Sequence, residues 1–393
     1  MKPTVVIIDC NRNGLASIRS LGKAGCKVIA VDHHWAKAGQ YSKYVYKRYK
    51  FPKPGKDPKA LVQGLVQIAS DFSDDDLYLL PVNDEYVQLL AENQSLLSDF
   101  KALYETDVTV LNKISNKLQF ADFVNHISIP QPKQFSKSDV ENGTVTWPVI
   151  IKPDNRRATD NLSKGLFKVK LCENAQVASK FIAELESKLS PYILQEFIPG
   201  GDDELFTAGI AAWDGKLLGC FTGRKVRQYP PKAGQATLAE IVFDQKLVDY
   251  SEKIISELNY SGIAQIEYKK YEDDFYVIEM NPRSWSWHSL AQYAGVNLPM
   301  ITLDAARGEK PSSPQLNKID QGEWYYFVED FIYNFILNRN VSLRSMVRSS
   351  LASEAHAFFD SKDIMPWVIY MIYELPLRIV QLVLGKNRKV DIH

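Results

Sequence analysis

Glu267 and Glu279 stand in the segment Gly262–Arg283, GIAQIEYKKYEDDFYVIEMNPR, which alternates with period two on either side of an acidic turn. A turn centred on Asp273 sets Glu267 opposite Glu279 and Gln265 opposite Asn281. All four then share one sheet face, and Ile266, Tyr268, Tyr276, Ile278 and Met280 share the other. Opposed Cβ atoms in such a ribbon lie ~4.5–5.5 Å apart, where like charges repel. Two facing carboxylates beside an amide oxygen make sense around a hard cation. Mg²⁺ takes oxygen ligands at ~2.0–2.1 Å and keeps waters and substrate phosphates in its shell. A solvated strand pair is the plainer reading, but Pro282-Arg283 follows at once and adds a fixed cation where an anion would need neutralising. The pattern points to a nucleotide–magnesium site.

Other residues suit the same chemistry. Lys152 sits in WPVIIKP, Trp147–Pro153, as either a snorkelling edge residue or a cation aimed into a cleft. The polar stretch Asp154–Gly165 holds Arg156, Arg157 and Lys164, and reads as a phosphate lid or an ordinary connection. Pro191–Gly201, PYILQEFIPGG, is a strand ending in a Pro-Gly break before Asp202-Asp203-Glu204. Arg224, Lys225, Arg227 and Lys232 follow the next strands in a Gly/Pro-bearing stretch. Asn83, Asp84 and Glu85 close an apolar run, where they would hold a substrate amine or simply cap a helix. His288 falls near Arg283 on a helix that spans Ser284–Ala294, a position more often structural than functional. No Ser/His/Asp set or catalytic cysteine stands out.

The elements that must position these groups are of α/β and α+β type. Pro3–Cys10 is a buried strand, Asn11–Gly14 a polar turn, Leu15–Lys23 a helix and Lys27–Asp32 a second strand, a β–α–β unit of a parallel, Rossmann-like sheet. Leu61–Ser70 and Glu85–Leu97 read as helices flanking a third strand, Leu77–Val82. The first turn is NRNG, without the glycines that let a backbone approach a dinucleotide pyrophosphate, which argues against a nicotinamide dehydrogenase. Asp32 reads as a loop cap rather than a ribose ligand. Lys113–His126 is a further helix and Lys246–Leu258 an amphipathic one. At 393 residues the chain is long enough for two or three domains. Lys+Arg of 47 against Asp+Glu of 47 gives no reason to expect a nucleic-acid partner. Cys10, Cys26, Cys172 and Cys220 form no metal-ligand pair and read as reduced core residues of a cytosolic protein; the N-terminus enters a strand directly, so no signal peptide is expected.

Four features occur in order: Lys117 at a helix start, Lys152 in VIIKP, LQEFIPG, and Glu267 followed by EMNPR. Together they resemble the ATP-grasp superfamily, closest to carboxylate–amine ligases such as D-aspartate ligase and the homologues of the large subunit of carbamoyl-phosphate synthase. LLPVNDEYVQLLAEN resembles their N-terminal domain, and the likeness runs to about residue 310. It implies a pre-ATP-grasp domain over 1–111, a small lid subdomain over 112–193 and a large subdomain over 194–310, and beyond it 311–393 reads as a helical, aromatic-rich extension. It implies ATP phosphates on Lys117 and Lys152, adenine against Gln195, Glu196, Phe197 and Ile198, and ribose on Asp202 or Asp203. Glu267, Glu279 and Asn281 would bind Mg²⁺, usually two ions, with Mn²⁺ as a substitute. Arg283 would steady the transferred phosphoryl group, and Arg224, Lys225 or Arg227 would hold the acceptor carboxylate or γ-phosphate. His288 would reach the acceptor. The implied substrates are a small carboxylic acid and an amine, such as an amino acid or a cell-envelope precursor. A non-catalytic ATP-binding module is the rival reading. One departure is plain: the family's lid is often glycine-rich, and Asp154–Lys164 contains no glycine.

Glu323–Ile336 reads as an aromatic helix, and Ile364–Leu384 is the most apolar stretch. The latter is interrupted by Glu374, Pro376, Arg378 and Gln381, short of the ~20 apolar residues that a bilayer crossing needs. It either packs on the body or on a second subunit, or lies at the inner membrane face. In the second case Trp367, Tyr370 and Tyr373 would sit at headgroup depth, with Arg378, Lys386, Arg388 and Lys389 facing anionic lipid.

Overall fold

The computed structural model describes residues 2–154, 166–229, 234–337 and 341–383. Arg156, Arg157, Lys164 and Lys232 lie outside them, as do Lys386, Arg388 and Lys389 and the side chains of Arg378 and Gln381. The first unit is a parallel sheet of β1 (Thr4–Ile8), β2 (Lys27–Asp32), β3 (Val45–Lys50), β4 (Leu77–Pro81) and β5 (Lys101–Ala102), in the order β3-β2-β1-β4-β5. Val5, Val6, Ile7 and Ile8 are fully buried, as a strand covered on both faces demands. Helix α1 (Arg12–Lys23) begins three residues before the expected Leu15, because Asn11 caps it by accepting from the Asn13 and Gly14 amides. The Asn-Arg-Asn-Gly segment is therefore a helix start and not a free turn. Asp32 ties two loops, accepting from the amides of Cys10 (2.8 Å) and His34 (3.0 Å).

The second unit is a small antiparallel sheet of β6 (Gln134–Phe135), β7 (Val149–Pro153), β8 (Lys170–Cys172) and β9 (Tyr192–Glu196), in the order β6-β9-β7-β8. Strand β9 runs across the boundary expected after residue 193. The single helix expected over Lys113–His126 is two: α2 (Val108–Ser115) and α3 (Lys117–His126), separated by Asn116, whose side chain caps the second. Lys117 is thereby fixed at a helix N-terminus.

The largest sheet is built from β10 (Leu205–Trp213), β11 (Lys216–Tyr229), β12 (Gln235–Ile241), β13 (Gly262–Tyr271), β14 (Asp274–Asn281), β15 (Gln315–Leu316), β16 (Glu323–Tyr325) and β17 (Ala355–His356). Its path is β14-β13-β10-β11-β12-β16-β17, with β15 beside β11. Two expectations change here. Arg224, Lys225 and Arg227 lie within the long strand β11 rather than in a loop, and Glu323–Tyr325 is a strand where an aromatic helix was expected. The C-terminal extension thus supplies strands as well as helices. Its last helical stretch packs inward through Ile369 and Tyr370, which join Trp285, Trp287, Leu290 and Phe358 in one core. Tyr370 is 1% exposed, so it is held by the body and not free for a headgroup, whereas Trp367 and Tyr373 remain exposed. Among the described residues no helix is long and apolar enough to cross a membrane.

Candidate active site

The hairpin β13–β14 pairs Glu267 with Glu279 and Gln265 with Asn281. It reaches that register by two departures that cancel. The turn is Glu272-Asp273, closed by Tyr271 opposite Asp274, and Glu272 adopts a left-handed φ of 54°. Continued regularly, this register would set Glu267 against Ile278. A bulge between Glu267 and Tyr268 gives β14 one extra residue and restores the carboxylate pair. The bulge also corrects two orientations. Phe275 and Val277, not Tyr276 and Ile278, join Ile266, Tyr268 and Met280 in the core, and Ile278 lines the cleft.

The cleft is a cavity of about 780 Å³ bounded by all three sheets. Its floor is one face of the large sheet, carrying Gln265, Glu267 and Lys269 of β13, Leu205 of β10 and Lys225 of β11. Lys225 Nζ lies 3.2 Å from Glu267 Oε2, and Gln265 Nε2 donates to Glu267 Oε1 at 2.9 Å. Gly209 on β10 leaves the space taken by the Trp285 indole: a Cβ there would lie 1.9 Å from its ring.

Burial raises the Glu279 carboxyl, but Lys168, Lys152, a hydrogen bond from Asn281 and Lys225 outweigh it and hold the group below the ordinary glutamate value. Asn281 Nδ2 donates to Glu279 Oε1 (3.3 Å) and Gln265 Oε1 (3.4 Å), while its Oδ1 accepts from Arg283 Nη2 (3.3 Å). The donor set fits a hard cation: two carboxylates face each other, and a half-turn of the Asn281 amide would present its oxygen. Among the described residues no three His, Cys, Asp or Glu side chains cluster as a metal cage. Two glutamates and an amide therefore suit an ion completed by phosphates and water.

The opposing wall is cationic. Lys117 Nζ donates to the Pro153 carbonyl at 3.0 Å, and its backbone amide donates to Asp154 Oδ1 at 2.9 Å. Lys152 lies between apolar neighbours on β7, and desolvation pushes its ammonium down to about 8; Lys117 and Lys168 add repulsion, against the pull of Glu279 and Glu267. Glu196, Phe197, Ile198 and Asp202 line the cavity where β9 leads out of the small sheet. Asp202 Oδ1 accepts from Gln228 Nε2 at 2.8 Å. On the N-terminal side, Arg283 Nε donates to Asp84 Oδ2 at 3.0 Å, joining hairpin and first sheet. Asn83 also lines the cavity, and its side chain caps the helix that starts at Asp84.

Several expected residues stand elsewhere. Gln195 is buried inside the small sheet, paired with Gln134 and Ile150, and Asp203 and Glu85 are not on the cavity wall. Arg224 is held by Glu240 at 2.5 Å. Arg227 forms a two-pronged pair with Asp330, at 2.8 and 3.1 Å, away from the cleft. His288 lies before the helix, which begins at Ser289. It is buried against Ser17 Oγ and the Trp285 carbonyl, and burial pushes its imidazole down to about 4. Strand alternation turns Arg224 from Lys225's face, toward Glu240 on the neighbouring strand; Arg227 meets a carboxylate from the C-terminal extension, and His288 a serine hydroxyl and a backbone carbonyl.

Conversely, Arg12, Lys168, Lys269, Gln235, Trp285 and Trp287 line the cavity without having been singled out. Lys269 alone was legible: it lies two residues beyond Glu267 on the same face, and its Nζ donates to the Gly201 carbonyl at 2.5 Å.

Residues 188–324 match the family model described as ATP-grasp in the biosynthetic pathway with Ter operon. Among solved structures, the L-amino acid ligase from Bacillus licheniformis superposes with a TM-score of 0.58 at 16% identity, covering 78% of this chain and 76% of that one. The biotin carboxylase from Campylobacter jejuni gives 0.62 at 17% identity over 82% and 74%. Phosphoribosylglycinamide synthetase from Anaerococcus prevotii gives 0.58 at 15% over 79% and 76%. At these identities the likeness is one of fold.

Proposed function

We propose that this chain, which carries the ATP-grasp fold, is an ATP-dependent ligase that joins a carboxylic acid to an amine. The observation that carries the reading is the carboxylate pair Glu267 and Glu279 facing a wall of Lys117, Lys152 and Lys168 across one cleft. A simple binding module has no need of facing carboxylates beside a phosphate-sized set of lysines. Phosphoryl transfer asks chiefly for positioning and neutralised charge.

Each wall has a task in this reading. The lysines take the triphosphate, Phe197, Ile198 and Ile278 enclose the adenine, and Asp202 meets the ribose. Glu267, Glu279 and Asn281 would hold magnesium, which would supply positive charge to the phosphates as they react. Arg283 and Lys225 face the group in transit. The acid's carboxylate oxygen attacks the γ-phosphorus, and the bond to the bridging oxygen breaks to release ADP. The amine then attacks the acyl carbon of the resulting acyl phosphate, phosphate leaves, and a proton from the amine passes to solvent. The test is phosphate release from ATP and Mg²⁺ across a set of amino acids, peptides and sugar acids, with the product weighed by mass spectrometry. Release that depends on one acid and yields a mass equal to acid plus amine minus water supports the reading. Release that ignores every acid, or none at all, counts against it.

A further inference from the structure

The ligase reading leaves Arg12, a cation lining the cleft, without a task. Arg12, at the start of α1, donates through Nη2 to Gln235 Oε1 at the head of β12. Its guanidinium lies over the Tyr326 ring, 4.6 Å from the centroid. Tyr326 is buried and fixed by a 2.8 Å bond between its hydroxyl and that of Tyr370. The guanidinium plane is therefore held by three separate parts of the chain: the N-terminal sheet, β12 and the C-terminal extension.

What it lacks is an anion. Lys225 has Glu267, Arg283 has Asp84, and Lys269 and Lys117 have backbone carbonyls. Among the described residues Arg12 has no carboxylate within 4.0 Å. A guanidinium carries more N–H donors than Gln235 uses. On the same wall the Trp285 indole is 2% exposed, and its buried Nε1 has no hydrogen-bond partner. Half-buried charge and an orphaned donor are both costly unless a ligand meets them.

Resting on the ligase reading, we propose that Arg12, floored by Tyr326 and flanked by Gln235, binds a carboxylate that a substrate keeps throughout the reaction. The ligand class is an amino acid held through its α-carboxylate or a diacid held through its second carboxylate. A planar fork matches a carboxylate in two-pronged fashion. The lysines suited to phosphate belong to the other wall, beside Glu279. The C-terminal extension, through Tyr326, is then part of the substrate site.

The experiment is calorimetric titration of the whole chain with Mg²⁺ and a non-hydrolysable ATP analogue. The titrants are L-amino acids and dicarboxylic acids, each paired with its amide. The wild type is expected to bind at least one acid tenfold or more tighter than its amide, and the arm that responds identifies which substrate bears the group. Arg12→Gln is expected to bind acid and amide alike, and Arg12→Lys, which keeps the charge but loses the fork, to recover part of the preference. Unchanged affinity for the ATP analogue shows that both variants are folded. An acid-to-amide ratio in Arg12→Gln equal to that of the wild type overturns the proposal, and so does a wild type that prefers no acid over its amide. Because the readout is binding, a chain that selects acids through Arg12 yet never cleaves ATP would sink the ligase reading alone.

Discussion

Lys152 and Glu279 carry opposite lessons about charge in the cleft. Lys152 is depressed to about 8 by desolvation, with Lys117 and Lys168 adding to it. The folded chain then binds fewer protons there than the unfolded chain between about 8 and the ordinary 10.5, so in the absence of nucleotide stability rises with pH across that window. A bound phosphate restores the charge, so nucleotide binding takes up a proton. ATP affinity should weaken as pH climbs from about 8 toward about 10, and a fluorescence titration should find that slope lost in Lys152→Gln. Glu279, by contrast, is kept ionised by its cationic neighbours. Glu279→Gln should leave the circular dichroism spectrum unchanged and lower Mg²⁺-dependent ADP formation by about 100-fold or more, by analogy with the loss of one preorganised charge-stabilising group. The carboxylate pair was legible because strand alternation fixes a face from local sequence alone. The partners of Arg224, Arg227 and His288 were not, because each meets its neighbour through the tertiary fold.

At the scale of the element, the cleft depends on a backbone left bare. Gly209 admits the Trp285 indole against β10, where Phe221 stacks on it and Trp287 meets it edge-on, with ring centroids 6.2 and 5.7 Å from Trp285. Gly209→Ala forces that ring to move and should cost about 1–3 kcal/mol, the usual range for overpacking. Thermal melting would register the loss, and a shift in tryptophan emission would report the displaced indole. Sequence alone served unevenly here. Period-two runs revealed β13, β14 and most of β10. Strand β3 was hidden because Val45–Lys50 is mostly exposed lysine, arginine and tyrosine, the dress of a sheet edge, and reads as a basic loop. The hairpin register came out right for an incomplete reason: a symmetric turn about Asp273 mimics a two-residue turn followed by a bulge, and only Ile278 and Tyr276 betray the difference.

Across the whole molecule, the C-terminal extension fastens the two ends of the cleft. Asp363, almost wholly buried, accepts from Arg19 Nε at 2.9 Å, from Ser42 Oγ at 2.7 Å and from the Lys43 amide at 2.8 Å, all in the N-terminal unit. Asp330 holds Arg227 on the large sheet, and Glu374 accepts from the Ala38 amide. Asp363→Ala leaves the buried Arg19 with backbone carbonyls and only the more distant Asp360 carboxylate, at 4.0 Å, and should cost about 3 kcal/mol, read as a lower urea midpoint. None of this was visible in the sequence, where Asp363 and Glu374 meet partners more than three hundred positions away and Asp330 meets Arg227 from 103 positions away. The consequence concerns biosynthesis. A ribosome delivers Leu15 and Ala38 early, yet the apolar cluster they enter is finished by Phe358 and Tyr370. The newborn polypeptide therefore waits, with oily surface showing, until Phe358 and Tyr370 have emerged, and a product broken off before them leaves that surface bare and prone to clump.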